Sequence, residues 1–190
     1  MGLFVYLIAG LIAAGVLAYL VTIYNGLVGL SNDIDKAWAN IDVLLKQRHD
    51  EIPRLVDVCK GYMRYERETL QMLTEERAKY ALASTIDQKT RASGSLSASV
   101  QKLFAVAERY PDLKANVSFL ELQKRISELE SQIADRREFY NDAINLCNTR
   151  IQEMPDALIA GGLRMKPRTM FRVSDAEKTA VTVALSRPHI

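Results

Sequence analysis

GLFVYLIAGLIAAGVLAYLVTIY, Gly2 to Tyr24, decides the first level of the fold. The stretch is apolar except for Gly, Ala, Tyr and a single Thr, and no Asp, Glu, Lys or Arg occurs before Asp33. A helix rises about 1.5 Å per residue, so such a run covers a hydrocarbon core of roughly 30 Å. Tyr19 and Tyr24 lie near one end, where aromatic rings favour the headgroup zone. A cleaved secretory signal fits poorly: it needs a basic start and a shorter apolar core. Residues 1–24 therefore read as one transmembrane helix. The first basic residues beyond it are Lys36, Lys46 and Arg48. Positive charge stays on the cytoplasmic side, so the expected orientation is N-terminus outside and body inside. Within the span Gly10, Ala14 and Ala18 recur every fourth residue, a small-residue stripe that admits close helix–helix approach.

Working outward, residues 25–155 read as a helical body. Leu27, Leu30, Ile34, Ala37, Ile41 and Leu44 alternate three and four apart, as in a heptad seam, and Trp38 and Leu45 widen it. No breaker separates this seam from the span, so one continuous or gently bent helix is expected. Pro53 is the first breaker, and the absence of loop residues around it favours a kink over a break. The apolar pattern resumes through Leu55, Val58, Cys59, Tyr62, Leu70, Leu73 and Tyr80. From Ser84 to Ser99 the chain turns to Ser, Thr, Ala and Gly, which reads as a connection. A shorter helix from about Leu96 ends at Tyr110-Pro111-Asp112. Ser118 and Glu121 fit a capping box for the last long helix, whose seam runs Phe119, Leu122, Ile126, Leu129, Ile133, Tyr140, Cys147, Ile151 and Met154. Pro155 is expected to end it. No strand pattern competes. The fold class is all-α: a single N-terminal transmembrane helix followed by an elongated antiparallel helical bundle.

Three strings, YNGLVGLSNDIDKAWANIDVLLKQRHDEIPRLVDVCKGY (Tyr24–Tyr62), AVAERYPDLKAN (Ala105–Asn116) and RREFYNDAINLCNTRIQEMP (Arg136–Pro155), occur in the order found in the LemA family. The chain resembles that family from Tyr24 to about Phe171. The resemblance extends to magnetosome members such as MamQ. It implies a bacterial membrane protein with a helical domain, no established enzymatic activity, and a link in those members to shaping an internal membrane.

Chemistry-bearing residues are sparse. The 190 residues carry 25 Lys and Arg against 23 Asp and Glu, a near-balance that argues against a general nucleic-acid binder. His49 and His189 have no second ligand at metal spacing, and Gly161-Gly162 has no phosphate-loop signature, so no catalytic residue, metal or cofactor is expected. Cys59 and Cys147 could pair or be two small buried hydrophobes, and their place on apolar helical faces favours the second. Arg48 falls on the seam one turn before Ile52. It either forms a polar cluster with Arg137, Asn141, Asp142 and Asn148, fixing register between helices, or snorkels to solvent. Residues 156–190 form a basic and apolar tail in which Arg164, Lys166, Arg168, Phe171 and Arg172 are candidates for contact with membrane or a partner. Ala176–Leu185 is a short apolar element of unassigned type. The expected function is a self-associating membrane scaffold, a homo-oligomer against the lipid bilayer. The rival is a membrane-tethered module that recruits an unknown protein partner.

Overall fold

A computed structural model describes residues 2–171. Among them every regular element is a helix: α1 (Gly2–Tyr62), α2 (Arg67–Leu82), α3 (Ile86–Ala107), α4 (Pro111–Lys114), α5 (Val117–Arg150) and α6 (Asp156–Gly162). The unassigned element at 176–185, Arg172 and His189 lie outside the described residues. Contacts divide the chain into two compact units, Met1–Ala39 with Glu138–Met170, and Asn40–Arg137 with the chain from Phe171.

In the first unit α1 opens with the apolar run, and every residue from Gly2 to Thr22 is exposed. This part of α1 is long and apolar enough to cross a membrane. Burial begins at Ile23 and continues at Leu27, Leu30 and Ile34 in steps of four, three and four. The end of α5 runs antiparallel to it. Trp38 packs against Tyr140 with ring centroids 5.7 Å apart and planes tilted by 53°, and the Arg150 guanidinium crosses Gly26 so closely that a Cβ there would lie 3.2 Å from it. Arg150 also holds Asp156 at 2.6 Å, which fixes the start of α6. Ile23, Leu27 and Ala160 close a small apolar cluster, flanked by Ile151, Ile159 and Met165.

The second unit is an up-down-up-down four-helix bundle made by α1 from Asn40, α2, α3 and α5 to Arg137. The seam of α1 continues through Ile41, Leu45, Arg48, Ile52, Leu55 and Cys59. Leu45 takes the fully buried place expected of Leu44, which is half-buried. Pro53 lies inside α1 without ending it. The core joins Ile52, Leu55, Cys59 and Met63 to Leu73, Leu96, Leu103, Phe119 and Ile126. Burying side chains of this kind is worth about 1.5–3 kcal/mol each.

Four local expectations need correction. The chain turns between α1 and α2, at Met63–Glu66, where no Gly or Pro marks it. Buried Met63 anchors that turn, and the Glu66 carboxylate fixes it by accepting from Arg109 at 2.8 Å and from the Tyr110 hydroxyl at 3.2 Å. Ser84–Ser99 is not a connection. Only Ala83–Thr85 is, and α3 starts from a capping box in which Thr85 accepts from the Gln88 amide and the Gln88 side chain accepts from the Thr85 amide. The cap of α5 is Asn116, whose side-chain oxygen accepts from the Phe119 amide, because the helix starts before Ser118. Finally, α5 ends at Arg150 and the chain turns before Pro155 reaches it.

Candidate functional site

Three arrangements stand out by position: a charge inside the bundle, a polar clamp on the tail, and the exposed apolar span.

The seam of α1 brings Arg48 inward, and its side chain is fully buried. One terminal nitrogen donates to Ser97 Oγ and Glu130 Oε1, both at 2.6 Å; the other donates to Ser93 Oγ at 2.8 Å and the Ser93 carbonyl at 3.2 Å. Ser97 in turn donates to Glu130 at 3.0 Å. Ser93 and Ser97 are one helical turn apart on α3, with Gly94 buried between them. These small residues leave the space a guanidinium needs. A buried cation is tolerated only when paired and hydrogen-bonded, and this one is paired by Glu130. Arg48 Nε and His49 Nε2 are buried without a hydrogen-bond partner among the described residues. The His49 ring packs on Tyr80 at 5.4 Å, and its carbonyl accepts from Arg77.

Arg48 therefore takes its partners from Ser93, Ser97 and Glu130. Of the residues expected around it, Asn141, Asp142 and Asn148 belong to the first unit. Asp142 is exposed. Asn148 clamps the tail: its side chain accepts from the Arg168 amide and donates to the Arg168 carbonyl, both at 2.9 Å. The partner that α5 supplies to Arg48 is Glu130, two turns before Arg137. The signal that could have found the pocket is Ser93-x-x-x-Ser97, a pair of small polar residues one turn apart beside Leu96, Val100 and Leu103.

Arg168 is held on three sides. Its guanidinium donates to Asp35 at 2.5 Å and to Ser31 at 2.9 Å, while its backbone binds Asn148. The hydrogen bond to Asp35 pushes its pKa further up. In the second unit Phe171 is buried with the Arg137 guanidinium 5.2 Å above its ring. Arg168 and Phe171 are thus committed to intramolecular contacts, because their charge and ring are already satisfied within the fold. Arg164 and Lys166 are exposed, and Arg164 adopts a positive φ of 54°.

Gly10, Ala14 and Ala18 all lie on the exposed span, and nothing stands within 4 Å of a Cβ added at Gly10. Both cysteines are buried free thiols, and burial pushes Cys59 up to about 12, far from a nucleophile's range. Ser97 donates to the Glu130 carboxylate at 3.0 Å, but it is buried. No cluster of three or more His, Cys, Asp or Glu able to hold a metal occurs among the described residues.

Residues 37–185 match the model of the LemA family. The chain is similar to Protein LemA of Metamycoplasma hominis, 27% identical over 161 residues that cover 83% of this chain and 72% of that one. It is similar too to Magnetosome protein MamQ 2 and Magnetosome protein MamQ 1 of Paramagnetospirillum magneticum, each 22% identical over 87% of this chain and 72% of theirs.

Proposed function

The chain belongs to the LemA family, and on that premise we propose a non-enzymatic role: a membrane-anchored helical scaffold that self-associates and organises the membrane it sits in. The observation that carries this reading is the wholly exposed apolar run of α1, which continues without a break into a helix built into a folded body. A helix of that composition leaves water only by entering lipid or by being covered. The stripe of Gly10, Ala14 and Ala18 supports pairing inside the membrane, where small residues let backbones approach. Two relatives named for magnetosomes are in keeping with a role at a membrane. The basic residues after the span favour a cytoplasmic body.

One observation favours the second reading, a tethered module that recruits a protein partner. Phe139 and Leu146, two turns apart on α5, are 63% and 52% exposed. An apolar pair on one helical face suits a partner helix as well as a second copy.

Particle size in gentle detergent tests the scaffold. Gly10→Leu with Ala14→Leu keeps the span apolar and fills the stripe. Light scattering should give a defined oligomer for the parent and a smaller or heterogeneous particle for the variant. A monomeric parent would remove the scaffold reading and leave the partner module.

A further inference from the structure

We propose that the α6 turn, from Met154 to Lys166, is a membrane-surface collar whose apolar side chains enter the headgroup layer while its basic ones meet anionic headgroups. The proposal rests on the reading of the apolar run as the membrane anchor and adds a second, separate lipid contact.

Position along α1 is the first argument. A hydrocarbon core of roughly 30 Å takes about 20 residues of helix. Leu3–Thr22 supplies that length, with every residue exposed. Ile23 is the first buried residue of α1, and it packs with Leu27 against Ala160, beside Ile151, Ile159 and Met165. The α6 turn is therefore fastened to α1 at the level where the hydrocarbon ends.

What that turn leaves uncovered is the second argument. Met154 is 69% exposed, Leu158 67% and Leu163 36%. Inward-facing Ala160 and Ile159 hold the turn in place, so these three are not needed for the cluster that fastens it. Leu163 follows directly on Gly161 and Gly162, which carry no side chain to hold the backbone away from a surface. An amphipathic element with apolar residues outermost and basic ones beside them lies in an interface plane.

Charge is the third argument. The carboxylate of Asp156 is neutralised by Arg150 at 2.6 Å, and Arg168 is spent on Asp35. Arg164 and Lys166 remain exposed beside Leu163, and among the described residues from Ile151 onward Glu153 is the exposed carboxylate. Basic side chains at this depth favour anionic lipid.

Depth-dependent quenching tests it on the full chain in phosphatidylcholine vesicles containing phosphatidylglycerol. Three reporters carry a polarity-sensitive dye: Leu158→Cys in the turn, Leu11→Cys in the span and Ser131→Cys on the exposed face of α5. The parent chain, whose two cysteines are buried, is the labelling control. The dye at position 158 should be blue-shifted and lose most of its emission to a headgroup-level quencher. That at 11 should respond to a mid-bilayer quencher, and that at 131 to neither. If 11 is quenched and 158 behaves as 131 does, the collar is refuted and the anchor stands. If 11 itself escapes quenching, the anchor reading fails first. Arg164→Ala with Lys166→Ala should reduce quenching at 158; unchanged quenching would overturn the anionic contact.

Discussion

Removing Glu130 should damage the bundle more than removing Arg48, although the two form one ion pair. Glu130→Ala leaves a guanidinium with no solvent exposure and no counter-ion. Breaking a buried pair from one side costs about 3–5 kcal/mol. Ser93 and Ser97 still accept from Arg48, which places the loss near the lower end, about 3 kcal/mol. Arg48→Met removes the charge and keeps an apolar stem on the seam. The Glu130 side chain is 25% exposed and can turn to water, so the loss is mainly the bonds to Ser93 and Ser97, about 1–2 kcal/mol. With Arg48→Met already in place, Glu130→Ala strands nothing and should add almost no further loss. The double variant should thus be more stable than Glu130→Ala alone, with a coupling of about 2 kcal/mol or more between the sites. Urea unfolding of the solubilised chain, followed by far-ultraviolet dichroism, measures all four corners of the cycle. A double variant that loses the plain sum of the single losses would refute the shared network. Arg48→Met combined with Asp142→Ala is the additive control, since Asp142 is exposed and lies in the other unit.

Asn116→Ala should cost about 0.5–2 kcal/mol by uncapping α5, whereas Ser118→Ala should be nearly silent in the same unfolding assay. Burial pushes both Cys59 and Tyr80 up to about 12 from ordinary values of 9.0 and 10.0. The unfolded chain therefore releases these protons first, so stability should fall as pH rises from about 9 towards 12, and Cys59→Ala should flatten the early part of that fall. In intact cells an impermeant thiol reagent should leave Ser131→Cys unlabelled until the inner membrane is opened; labelling with that membrane sealed would put the body outside.

The helical skeleton was legible because burial on α1 and α5 follows the three-four spacing of their apolar residues. Leu27, Ile34, Ile41, Ile52, Ile126 and Ile133 are all buried as their spacing requires. What stayed hidden depended on partners far away in the chain. Ser93, Gly94 and Ser97 look like loop residues because small and polar side chains favour turns in isolation; here they make room for Arg48, and that reason exists only after folding. The Met63–Glu66 turn carries no Gly or Pro, and its stability comes from Arg109 and Tyr110 some forty positions later. Arg48 was recognisable as an anomaly on an apolar seam, while its counter-ion was not, since Glu130 is one of many carboxylates on α5. Phe171 looks like a surface contact in the sequence because it sits among basic residues, and its burial under Arg137 is a tertiary fact.

Orientation around the axis of α1 carries a final consequence. At about 100° per residue, the stripe of Gly10, Ala14 and Ala18 and the buried row of Ile23, Leu27, Leu30 and Ile34 fall on nearly opposite sides of the same helix. In a pair formed through the stripe, the two α1 helices would stand innermost, and the segments packed on Ile23 and Leu27 would face away from the axis of symmetry. The linker between stripe and row therefore works as an angular setting. One residue inserted between Ala18 and Ile23 would change the length by only about 1.5 Å yet swing one side past the other by about 100°.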